Sequence, residues 1–167
     1  MTTTTEGRFM QQQGFPGEAP QELLSHFHAL RFQPWIVGPL MLTATFLQSP
    51  VLFFCLAAVL VWNVIFPQWN PFERLFDDLI GKRRAMSPLA PAPAPRRFAQ
   101  GMAAAFMLGA GLGISWHWMA VTYACEALLV VAFAALLGGR FCLGAYIYQV
   151  LRGRAAFANA TCPWSRD

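Results

Sequence analysis

The chain has 167 residues, of which 56% are apolar and only 12% charged. Soluble domains carry about 25% charged residues, so the composition excludes a disordered chain, a collagen-like chain and a soluble nucleic-acid binder. The net charge of +4 comes from cations that flank apolar stretches instead of forming a patch, which is the distribution of the positive-inside rule.

Residues 1–19 are rich in Thr, Gln and Gly and are expected to be mobile and solvated. Pro20 can open a helix, and Leu23, Leu24, Phe27 and Leu30 then recur at helical spacing. Residues 1–33 therefore read as a mobile start and a helix lying on the membrane surface. His26 and His28 are two apart and point away from each other on that helix, so they cannot form the i, i+4 pair of zinc-binding helices.

Residues 32–72 hold no charged side chain. The first hairpin, residues 34–66, has spans at 35–47 and 51–66 broken at Gln48-Ser49-Pro50, with Ser49 as helix cap and Pro50 at the first helical position. Each helix is roughly 20–24 Å long, short for a hydrocarbon core of about 30 Å. The hairpin either thins the bilayer or re-enters on the same side.

Residues 67–97 form a cytoplasmic loop. Asn70 caps a helix with Pro71 first and Glu73 reaching back to the cap. Phe72, Leu75, Phe76, Leu79 and Ile80 mark its apolar face, and Gly81 ends it before Lys82, Arg83 and Arg84. Those cations suit anionic headgroups. Residues 88–95 (PLAPAPAP) read as an extended linker.

The second hairpin, residues 98–140, has spans at 98–114 and 119–139. Gly101, Ala105, Gly109 and Gly113 recur every fourth residue as a face without bulk, suited to close helix packing in lipid. It can pack internally against Ala120, Ala124 and Ala127, or point outward to a partner. Trp116, His117 and Trp118 form the turn at interfacial depth. Residues 141–167 continue as an interfacial helix and a polar tail. With all basic segments on one side, the expectation is an all-α integral membrane protein of four transmembrane helices in two hairpins, both termini cytoplasmic.

Trp62-Asn63-Val64-Ile65-Phe66-Pro67, Asn70-Pro71-Phe72, Ala94-Pro95-Arg96-Arg97-Phe98-Ala99-Gln100-Gly101, Glu126-Ala127-Leu128 and Phe141-Cys142-Leu143-Gly144 together resemble a family of small bacterial membrane proteins called domain of unknown function 4395. The resemblance covers roughly residues 33–152 and is most specific at Pro95 to Gln100. It implies a multi-span inner-membrane protein and no known activity. Members of that family commonly have a second cysteine after the Phe-Cys-x-Gly step, where this chain has Ala145. The resemblance thus implies that any chemistry of that pair is lost here.

Glu126 is the one charged residue in residues 98–139. A carboxylate at that depth costs several kcal/mol unless it is protonated, hydrogen-bonded or reached by water. It is either a proton- or cation-handling group or a neutral acid holding helices together through Thr122, Asn63 or a carbonyl. Asn63 is the other strongly polar residue in a span, either a packing contact or the partner of Glu126. Neither a hydrolase constellation nor ligand spacing among Cys55, Cys125, Cys142 and Cys162 is visible, so all four cysteines read as free thiols. No catalytic residue, cofactor or metal is expected. The function expected is an accessory or scaffold subunit with the bilayer and homo- or hetero-oligomeric membrane partners as its contacts. The alternative is an oligomeric proton- or cation-coupled carrier working through Glu126.

Overall fold

A computed structural model describes residues 5–15, 20–82 and 91–165, and the side chains of α2 from residue 26 onward. The described residues are helical and contain no strand: α1 (Thr5–Gln12), α2 (Pro20–Leu47), α3 (Pro50–Ile65), α4 (Pro71–Phe76), α5 (Ala94–Ser115), α6 (Met119–Leu137), α7 (Leu143–Leu151) and α8 (Ala155–Ala160). Among them α5 and α6 are long and apolar enough to cross a membrane, and α3 is apolar but shorter at 16 residues. Two helices thus meet that standard, where the sequence pattern suggested four.

The surface helix and first span expected as separate pieces are one 28-residue helix, α2. Phe27, Leu30, Gln33, Val37, Met41 and Ala44 are all buried along it, each three or four residues after the last. That unbroken stripe carries the helix through Pro34 and Pro39, whose cost of one backbone donor each is outweighed by packing. The break that follows is as expected: Ser49 caps α3, accepting from the Leu52 N–H, and Pro50 is the first helical residue.

α5 is the central helix and packs against α3, α6 and α7. Gly111 faces Phe54 and Gly101 faces Val64, so α3 and α5 run antiparallel. Val37, Met41, Phe53, Leu60, Met107 and Leu129 fill the core between them. The residues of α6 alternate sharply: Thr122, Glu126 and Leu129 are buried, while the opposite face is exposed.

The expectation of a mobile start is overturned for residues 5–15. Phe9, Met10 and Phe15 are buried in a second cluster with Phe27, Leu30, Cys142 and Ala145. Phe9 meets Phe27 edge-on at 5.4 Å, and Glu6 pairs with Arg140. Three apolar side chains outweigh the polar composition around them. The tail is likewise packed: α8 buries Ala158, Thr161 and Cys162 follow it as buried residues, Trp164 meets Phe141 at 5.0 Å, and Arg8 donates to the Ser165 carbonyl at 2.6 Å.

Asn70 caps α4, accepting from the Phe72 N–H, as expected. The helical winding runs to Gly81, where the apolar spacing ended it, but widens after Phe76 into a π-helix over Asp77–Gly81. Phe76 alone of the expected face is buried, and it packs on Phe32. Of the expected linker, residues 88–90 lie outside the described residues, and α5 begins at Ala94 with Pro95 in its first turn.

Candidate functional site

Glu126 projects from the inward face of α6 and is 6% exposed. It accepts a hydrogen bond of 2.9 Å from Gln48 Nε2, which also donates to the Thr45 carbonyl. Gln48 sits at the α2–α3 turn with a φ of 47°, a left-handed conformation uncommon outside glycine. The turn therefore holds an amide over the carboxyl group. The partners expected for Glu126 are not the ones it has: Thr122 donates weakly to the Trp118 carbonyl instead.

Asn63 is not brought to Glu126. It lies some 13 residues along α3 from Pro50, about 20 Å on a straight helix, while Glu126 meets the turn that precedes Pro50. Asn63 is 0% exposed, and neither amide atom has a partner among the described residues. An unpartnered buried amide costs about 1–3 kcal/mol. The two polar residues most visible in the apolar stretches are separate features.

The small-residue face divides. A Cβ on Gly109 would stand 2.8 Å from Cys125 Sγ, and one on Gly113 would collide with Thr122. These two glycines permit the close approach of α5 and α6. Gly101 and Ala105 instead line a shallow groove with Val64 and Met102. Ala120, Ala124 and Ala127, expected as the internal counterpart, are exposed on the outer side of α6. Two of the four small residues therefore meet α6, on a face half a helical turn from those alanines.

Trp116 and Trp118 are exposed at the α5–α6 turn with ring centroids 5.1 Å apart, and His117 between them has a φ of 58°. Among the described residues no group of three or more His, Cys, Asp or Glu side chains could hold a metal. Arg83 and Arg84 lie outside the described residues. The described cysteines are free thiols.

The densest polar cluster is one that sequence reasoning missed, at the opposite end of the bundle from Gln48. Arg96, in the first turn of α5, stands 2.9 Å from Glu73 Oε1. Glu73 reaches back to its cap residue Asn70 as expected, and it also takes the buried guanidinium as a second, charged partner. Gln33 Oε1 receives Gln100 Nε2 at 3.1 Å and Asn70 Nδ2 at 3.4 Å. Burial pushes the Glu73 carboxyl above its ordinary range, with Arg96 and Asn70 opposing that rise. Burial likewise raises the Cys142 thiol, whose backbone N–H donates to Gln12 Oε1 at 2.9 Å. Arg96 and Gln100 belong to the Pro95–Gln100 stretch, so a buried role for that polar pair was the available signal.

A cavity of about 100 Å³ adjoins this cluster, lined by Gln13, Gln33, Arg96, Gln100 and Cys142 on its polar side and by Val37, Leu60 and Phe133 among its apolar walls. Gly144 closes one edge, so near α5 that a Cβ would stand 2.6 Å from Ala99 Cβ. This explains the glycine of the Phe-Cys-x-Gly step by close approach. The arrangement can bind a small group. It offers no nucleophile paired with a base.

Compared with known proteins, residues 27–153 match the family described as domain of unknown function 4395. The chain has no significant match among curated proteins or among solved structures. Apart from Gln13, every lining residue of the cavity lies in the matched region.

Proposed function

The chain belongs to the domain of unknown function 4395 family, and on that premise we propose that it is a multi-span inner-membrane protein serving as an accessory or scaffold subunit of a membrane assembly. The observation that carries this reading is the outward face of α6. Ala120, Ala124, Ala127 and Ala134, with Val131 between the last two, fall along one exposed row, directly opposite Thr122, Glu126 and Leu129. In lipid, a row made mostly of small residues lets a second helix approach closely, and among the described residues nothing covers it.

The hydropathy of α5 and α6 supports the second hairpin as a pair of crossings. We read α2 and α3 as the first hairpin. α2 is about 42 Å long as a straight helix, and α3 lies antiparallel to α5. Arg31 donates to the Leu137 carbonyl and Arg97 to the Val64 carbonyl, so cations from two segments gather at one end of the bundle. The two opposite turns carry none. This distribution supports cytoplasmic termini.

A carrier working through Glu126 is the second reading. It requires polar groups continuing inward from the Glu126–Gln48 pair, and the next inward residue on α6 is Leu129, packed in a core with Met41 and Met107. That apolar continuation favours the scaffold. The test is quantitative recovery of membrane partners with the tagged chain before and after Ala124→Leu and Ala127→Leu. Loss of partners with retained folding is expected. Unchanged recovery of the same partners would remove the α6 face from the account.

A further inference from the structure

The shallow groove between α3 and α5 differs in character at its two ends. It starts beside Arg97 in the first turns of α5 and follows that helix over Gly101, Met102 and Ala105, with Val64 of α3 as the facing wall. Arg97 to Ala105 is about 12 Å on a straight helix, so the groove runs along the axis of α5. A Cβ on Gly101 would meet only Val64 Cγ2, at 4.0 Å, which leaves the floor open. The space of about 510 Å³ is well above the roughly 150 Å³ that takes benzene. Arg97 is exposed, and its Nε donates to the Val64 carbonyl at 3.0 Å. That bond uses one of five guanidinium donors and fixes the cation at the end of the groove. The charge of Arg96 is answered by Glu73, but among the described residues no carboxylate pairs with Arg97. The first turn of α5 also lacks a side-chain cap, so the positive end of the helix dipole adds to the same end.

The occupant must suit both ends. A free anion would answer the cation and leave the apolar walls uncovered. A neutral lipid would cover the walls and leave the cation without a counter-ion. A second copy of this chain would bring a net charge of +4 to an end that is already positive. We propose that the groove binds one acyl chain of an anionic phospholipid, whose phosphate is held by Arg97. Guanidinium and phosphate form strong charge-assisted hydrogen bonds, and the small side chains below give the acyl chain a close bed. This inference rests on reading the chain as a membrane protein. On that reading Arg97 stands at headgroup level and Ala105 in the hydrocarbon, and the groove runs in the direction a lipid chain takes.

Native mass spectrometry of the full chain, released from nanodiscs of equal parts phosphatidylglycerol and phosphatidylcholine, counts the lipids it retains. Phosphatidylglycerol is expected over phosphatidylcholine by about fivefold, the preference that one cation near an anionic surface supplies. Arg97→Gln brings the two lipids to parity, and Arg97→Lys keeps most of the preference. Arg74→Gln removes the same charge from an exposed residue outside the groove and leaves the preference in place. Ala105→Phe fills the groove from an exposed position and lowers the retention of both lipids. Equal retention of the two lipids by the natural chain would overturn the proposal. Equal losses in Arg74→Gln and Arg97→Gln would mean a general attraction to the surface and would overturn it too. Unchanged retention in Ala105→Phe would remove the acyl chain from the groove and the proposal with it. Release of the chain from its native membrane by alkaline carbonate would overturn the membrane reading together with this inference. Firm insertion without a lipid preference would overturn this inference alone.

Discussion

Arg96 and Glu73 stand 2.9 Å apart across the seam between α5 and α4, with side chains only 5% and 14% exposed. The pair ties the loop after the first hairpin to the opening turn of the central helix. Removing one member of a buried ion pair costs about 3–5 kcal/mol, because the other charge is left stranded. Arg96→Met should therefore destabilise the fold by about that amount, and Arg96→Met with Glu73→Leu should recover most of it. Unfolding in mixed detergent micelles measures both.

The same carboxyl sets a pH dependence. Burial holds the Glu73 pKa above its ordinary 4.5, so the folded state keeps a proton that the unfolded chain releases. Its contribution to stability is full below the ordinary carboxylate range and is lost as pH rises through the raised value. Stability in that window should fall with pH in the natural chain and flatten in Glu73→Gln. A slope unchanged by the substitution would assign the effect to another group.

Gly144→Ala puts a methyl 2.6 Å from Ala99 Cβ and 2.7 Å from its Cα. Overpacking of this kind costs about 1–3 kcal/mol. Ala99→Gly in the same chain should return part of it, and the coupling of the two changes is read from a double-mutant cycle.

α1 packs over the cluster that contains Cys142, with Phe9 on Phe27 and Gln12 on the Cys142 backbone. Phe9→Asp should undock it and speed alkylation of Cys142 by at least about tenfold, equivalent to roughly 1.4 kcal/mol of lost protection. Peptide mass spectrometry gives the rate. An unchanged rate would mean that α1 does not shield the thiol.

The regular helices were readable because apolar runs and caps are local. Ser49, Pro50, Asn70 and Pro71 each mark a helix start by chemistry that needs no tertiary partner. What escaped was set by contacts between distant segments. Residues 5–15 look polar until Phe9, Met10 and Phe15 are placed against Phe27, and Glu73 reads as a partner of its own cap alone until Arg96 arrives from α5. The row Gly109–Gly113 was legible as a packing face. Its partner was not, because the rotation of α6 about its axis depends on Thr122, Glu126 and Leu129 facing inward together. Glu126 stood out by its charge alone, but its partner Gln48 sits in a turn that reads as a simple break.

Gln at position 126 keeps an acceptor for the Gln48 amide, so Glu126→Gln should leave stability within about 0.5 kcal/mol, the usual range for a change that removes no contact. Glu126→Leu leaves the Gln48 amide without that acceptor and should cost about 1 kcal/mol. Urea or detergent titration of the two variants separates them, and equal losses would deny the hydrogen bond any role.

The most direct test of the membrane-scaffold account is purification of the tagged chain from its native membrane into nanodiscs, with mass photometry and mass spectrometry of the same sample. A stable heteromeric particle of defined mass, lost on Ala124→Leu and Ala127→Leu, is the predicted result. A uniform particle of this chain alone, unaffected by those substitutions, would contradict it.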